Sequence, residues 1–160
     1  MMVWGILVTA IVINEFLPNP SGAANEWVEL YNPATQSASL VDYILTDSAN
    51  HDQSLVSLGS ISPGAYAIFE YSGDGWLNNS SGDTLFLKTG SEVIDQHTYS
   101  TDHGEDISFG RYPNATGGFV VLSSPSKALA NLPPPTPTVT HTPIPTASPS
   151  PSNTPAPSKT

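Results

Sequence analysis

Glu15, Glu29 and Asn32 are the residues whose types most readily suggest chemistry. Two carboxylates brought together could act as a general acid and base. With an asparagine beside them they could also offer oxygens to calcium. A structural use competes with both. Asn14 and Asn32 can bond turns, and the two glutamates can accept from backbone donors. That use is preferred, because buried polar groups are normally hydrogen-bonded.

Two acidic loops offer a second chemistry. One holds Asp47, Asn50, His51 and Asp52; the other holds Asp102, His103, Glu105 and Asp106. Calcium needs six to eight oxygens, and neither loop has the carboxylate spacing and glycine of an EF-hand. Asp47, Asp52, Asp102 and Asp106 therefore stand only as weak metal candidates, and no metal or cofactor is expected. Zinc on His51, His97 or His103 is weaker still, since their spacing matches no ligand pair. Asp95 and His97 share a strand face, but no nucleophile elbow accompanies them. No catalytic residue is assigned. Trp76, with Tyr71, could form a stacking platform for a sugar. The competing reading has Trp76 and Leu77 closing one end of the fold. Asn78, Asn79 and Asn114 satisfy the glycosylation pattern, which arises easily by chance.

Short β-prone runs must position these residues. They are 11–17, 26–31, 40–46, 65–71, 84–88, 92–99, 107–112 and 118–122, with a short extra strand at 55–58. Clusters of Gly, Pro, Asn, Asp and Ser separate them, each a turn signal. No window carries apolar residues at helical spacing. Regular short strands with turns between them predict a sandwich or barrel. Thr89-Gly90-Ser91 predicts a tight hairpin. Alternation puts Val28 and Leu30 on one face, with Trp27, Glu29 and Tyr31 on the other. Val93, Asp95 and His97 oppose Ile94, Gln96 and Thr98. Ile11 and Ile13 share parity with Glu15, which places that carboxylate at the rim of the apolar face.

Composition narrows the function classes. Fourteen acidic residues against four basic ones give a net charge of −10. Phosphate backbones are held by Lys and Arg, so nucleic acid is disfavoured, and an anionic membrane surface likewise. The chain has no cysteine, which removes thiol catalysis, cysteine zinc sites and disulfides together. Residues 1–9 form an apolar leader, either the remnant of an export signal or a lead into the first strand. No apolar run is long enough to span a bilayer. Residues 10–131 are the foldable part. Residues 132–160 repeat Pro every two or three positions among Thr and Ser. Such a stretch cannot offset its ordering entropy by burial, and Pro holds it extended. It reads as a disordered linker or stalk, which points to a longer protein around this chain.

The ordered motifs carry a resemblance. Ile13-Asn14-Glu15, Asn19-Pro20 and the run Glu26 to Pro33 resemble the opening signature of the lamin tail domain family in its bacterial form. Leu40, Tyr43, Leu45 and Asp47 follow, then Ser62 to Tyr66, then Asn79 with Gly82 to Leu87, then Val93-Ile94-Asp95. Ser108 to Pro113, Ser124-Pro125-Ser126 and Asn131 complete the series. One departure is Asp42-Tyr43, where the family usually has Gly-Trp. The resemblance implies an all-β, immunoglobulin-like sandwich. It makes Asn14, Glu15, Trp27, Glu29, Asn32, Gly82, Asp83 and Asp95 signature residues with structural roles. It also implies a non-enzymatic interaction or tethering module, at the cell surface or outside the cell. The partner expected is a protein or cell-envelope component. A carbohydrate-binding sandwich and a piece of a secreted hydrolase are the alternatives.

Overall fold

The computed structural model describes residues 11–73 and 75–133. The apolar leader and all but the first two residues of the Pro/Thr/Ser-rich segment lie outside them. Eleven strands follow one another among the described residues: β1 (Val12–Leu17), β2 (Glu26–Tyr31), β3 (Ala38–Ser39), β4 (Tyr43–Thr46), β5 (Gln53–Ser54), β6 (Ser60–Ile61), β7 (Tyr66–Tyr71), β8 (Asp83–Thr89), β9 (Glu92–Tyr99), β10 (Ser108–Tyr112) and β11 (Gly118–Leu122). All pairings are antiparallel. A five-stranded sheet runs β11-β10-β1-β2-β7, and a four-stranded sheet runs β5-β4-β8-β9. The small pair β3-β6 lies between them in sequence. This is an immunoglobulin-like β-sandwich.

The core lies where the inner faces meet. Ile13, Phe16, Val28 and Leu30 come from the five-stranded sheet; Leu45, Leu85, Leu87 and Tyr99 come from the other. Phe16 anchors it, stacked on Phe109 at 5.1 Å and tilted against Tyr99 at 5.5 Å. Burying aliphatic and aromatic side chains of this size stabilises the fold by about 1.5–3 kcal/mol each. The β8-β9 hairpin closes with Thr89 opposite Glu92, leaving the two-residue turn Gly90-Ser91 that the sequence predicts.

Three strand expectations change. Residues 55–58 are not a strand: Val56–Leu58 form one 3-10 turn, with Leu58 N bonded to Leu55 O at 3.0 Å. The chain passes there from β5, on the four-stranded sheet, to β6, paired with β3. So short a crossing turns instead of extending. The run from Leu40 is extended only over β4, because Tyr43 N bonds back to Leu40 O at 3.1 Å.

The third change concerns register. Asn14 is a bulge: Ile13 faces Leu30 across β2, but the next partners are Glu15 and Glu29. One extra residue reverses the side-chain alternation. Ile13 and Phe16 both face the core, while Glu15 leaves the core face and joins Glu29 on the opposite side. A second bulge, at Ile94, lies between the pairs Lys88–Val93 and Leu87–Asp95. It turns Ile94 against the core and leaves Val93 exposed.

Candidate functional site

Glu15 and Glu29 lie directly opposite each other on β1 and β2, and both are fully buried. They sit on the outer face of the five-stranded sheet, away from the core. Residues 124–131 run back over this face as a strap. Glu15 accepts bonds from Ser108 Oγ at 2.6 Å, Ser126 N at 3.0 Å and Ser126 Oγ at 2.6 Å. Glu29 accepts from Asn14 Nδ2 at 2.7 Å and from Ala128 N. Each donor is neutral, and no cation pairs with either carboxylate among the described residues.

Asparagines complete the network. Asn14, the bulge residue, donates to Glu29 and to Asn114 Oδ1, and accepts from Ala115 N at 2.9 Å. Asn114 donates to the Tyr66 hydroxyl at 2.9 Å. Asn131, at the strap's end, donates to the carbonyls of Asn14 and Arg111, both at 3.0 Å, and its Oδ1, 2.7 Å from Ser126 Oγ, competes with Glu15 for that hydroxyl's single proton. Gly110 makes room for it: a Cβ there would stand 2.6 Å from Asn131 Nδ2 and 2.5 Å from Leu122 Cδ1. Lys127 pairs with Glu70 at the surface and lies over the Trp27 ring at 5.3 Å.

Burial pushes the Glu29 carboxyl up to about 7; its bonds from Asn14 and Ala128 hold it back in part, and Glu15 pushes the same way as burial. A carboxyl near neutrality resembles a catalytic acid. Here, however, each of its oxygens faces a donor of the fold itself, with the strap laid across them. The geometry serves to hold the strap down.

Glu26 and Asp83 brace the opposite region in the same way. Glu26 accepts from Trp76 N at 3.1 Å and Leu77 N at 2.8 Å. Burial raises its carboxyl, and those two N–H groups oppose the rise. Asp83 accepts from Ser48 N, Ser48 Oγ, Asn78 N, Asn78 Nδ2 and Thr84 N. Burial acts to raise Asp83, but these bonds together outweigh it and leave the carboxyl below its usual range. Gly82 lies so close to Tyr99 that a Cβ would meet its carbonyl oxygen at 2.3 Å.

These opposite shifts set a pH profile. A raised carboxyl such as Glu29 gives its full stabilisation below its unfolded value of 4.5 and loses it as pH climbs through about 7. A lowered one such as Asp83 stabilises above its unfolded value of 3.8 and loses that as acid protonates it. Stability is therefore expected to peak near about pH 4–5. Urea midpoints at pH 3, 4.5 and 8 check this; a maximum above pH 7 contradicts it.

The other sequence candidates scatter. Asp47 accepts from Ala49 N, His51 N and His51 Nδ1, and so closes its own loop. Asp52 is exposed. Asp102 takes the Asn19 amide and Gly104 N, and Asp106 takes Ser21 N. Among the described residues no three His, Cys, Asp or Glu converge as a metal site would need. His97 stacks on Phe119 at 4.1 Å, and burial, with Arg111 nearby, lowers it to about 4. Asn32 is buried apart from the glutamates, tying its turn to the Gln36 and Ile61 carbonyls. Trp76 corrects the platform expectation: it is 2% exposed, within the core, edge-on to Phe69 at 5.6 Å. It offers no free ring face to a sugar. Tyr71, half-buried, tilts against it at 5.7 Å.

Several members of the network went unassigned in the sequence. Ser108, Ser126 and Asn131 stand in the last family landmarks without a role attached to them. In the sequence Asn114 shows only a glycosylation pattern, and Glu26 only a place in a strand.

The two-layer antiparallel sandwich is that of an immunoglobulin-like domain. The lamin tail domain family matches residues 8–101, and the chain belongs to that family of non-enzymatic, immunoglobulin-like domains. The matched stretch ends before β10, β11 and the strap. No curated protein and no solved structure matches the chain.

Proposed function

We propose that this chain is a non-catalytic tethering module of a larger secreted or surface protein, with residues 132–160 as its stalk. One observation carries the reading: the root of the stalk is fastened. Leu132 follows Asn131, whose side chain reaches the carbonyls of two different strands' residues, Asn14 and Arg111. With these bonds in place, a pull on the stalk is delivered to β1 and β10, not to a loose end. Tethering needs such a fixed point of attachment; a soluble catalyst does not. The partner is a protein or cell-envelope component, and the acidity argues against nucleic acid.

The test uses the purified 160-residue chain. Fluorescently labelled chain is expected to bind bacterial envelope preparations saturably and to turn over neither phosphomonoesters nor phosphodiesters. Turnover abolished by Glu29→Gln overturns the non-catalytic reading. Absence of saturable binding to the envelope overturns the envelope as partner.

A further inference from the structure

The strap covers an arrangement that electrostatics makes unstable when fully charged. Two buried carboxylates face each other on neighbouring strands. The charged and titratable groups around them are few. β1 brings Glu15 itself; β2 brings Glu29 and Tyr31; β7 brings Tyr66 and Glu70; the strap brings Lys127. Lys127 is already engaged by Glu70 at the surface. On β10 the guanidinium of Arg111 turns away to Asp95, and only its carbonyl faces this side, toward Asn131. Two like charges in so dry a place strongly disfavour double ionisation.

We propose that residues 124–131 are a proton-gated latch: one proton held by the Glu15–Glu29 pair keeps the strap seated, and its loss releases the strap.

Release of the strap is the least costly way to hydrate the second charge. Opening it gives up the bonds from Ser126 N, Ser126 Oγ and Ala128 N and those of Asn131. The β1–β2 and β2–β7 ladders beneath stay paired, as do the core contacts on the sheet's other face. Local opening of this kind costs less than global unfolding. The neutral value to which Glu29 is pushed places the transition near pH 7. Released, the eight residues add roughly 25 Å of reach to whatever follows Asn131. The inference stands on the strap's geometry, so it can fail while tethering holds, or hold while tethering fails.

The test is amide hydrogen exchange in the full chain from pH 5 to 9, corrected for the intrinsic base-catalysed rate. Protection of the Ser126 and Ala128 amides is expected to fall about tenfold per pH unit, the slope of one proton, as pH approaches about 7 from below, and to level off above it. Amides of the β8-β9 hairpin serve as the reference and stay level. Glu29→Gln is expected to remove the pH dependence of the strap. Because that variant could fold poorly, carboxyl carbon NMR of the unaltered chain gives a second reading. Glu29 titrating between about pH 6 and 8, in step with the strap amides, supports the latch. Strap protection constant across the range, or Glu29 titrating below about pH 5, overturns it.

Discussion

Replacing Glu15 with alanine is expected to lower the unfolding free energy by about 3–4 kcal/mol. The carboxylate is the common acceptor for Ser108 Oγ, Ser126 N and Ser126 Oγ. Ser108 is itself fully buried, so its hydroxyl loses an acceptor that water cannot easily replace. Each stranded donor costs about 1–3 kcal/mol, and the vacated volume adds to that. Relief of repulsion on Glu29 offsets part of the loss, which keeps the total below the simple sum. The measurement is urea unfolding at pH 4.5, where that repulsion is weakest and the loss is largest. A change under 1 kcal/mol would mean that the strap's bonds do not form in solution. Glu29→Ala is expected to cost less, because its acceptors serve only Asn14 Nδ2 and Ala128 N.

The strand frame was legible because its signals are local. Val28 and Leu30 recur at strand spacing, as do Leu85 and Leu87, and turn residues separate the runs. The two bulges were not legible. Asn14 in β1 and Ile94 in β9 each insert one residue, and alternation gives no sign of an insertion until the partner strand is known. That is why alternation alone puts Glu15 at the rim of the core and Val93 on one face with Asp95 and His97, from which the bulge separates it. The 3-10 turn at Val56–Leu58 was read as a strand because Leu55, Val56 and Leu58 favour extended structure. What displaced the strand was the need to cross between sheets. The site was half legible. Glu15 and Glu29 stood out as carboxylates, and their structural use was preferred on general grounds. Their donors lie about a hundred positions away, in Ser126 and Ala128, where no periodicity could reveal them. Trp76 suggests a stacking platform because it follows a glycine-rich turn. Its burial depends on Glu26 holding the backbone of the same loop inward.

A part-buried ion pair ties β9 to β1 and β10 across the sandwich, and its removal carries the other large effect. Asp95 on β9 receives Arg111 Nη2 at 2.7 and 2.9 Å and Ile13 N at 2.9 Å. Arg111, on β10, also donates to the Ile13 carbonyl at 2.8 Å and the Gly117 carbonyl at 2.9 Å, with its guanidinium 4.5 Å from the Phe119 ring centroid. Ile13 lies just before the Asn14 bulge, so its N–H has Asp95 as partner where the ladder to β10 has ended. Both charged side chains are largely shielded from solvent. Asp95→Ala is therefore expected to cost about 3–5 kcal/mol, the range for leaving one partner of a buried pair uncompensated. Adding Arg111→Met removes the stranded cation and is expected to recover about 1–2 kcal/mol of that loss. Because the pair is shielded, 0.5 M salt should leave the cost almost unchanged. A loss that disappears in salt would place the pair at the surface and remove its part in joining the sheets. If the double variant is instead as unstable as the sum of the single ones, the cost belongs to Ile13 N–H and packing, and the ion pair contributes little.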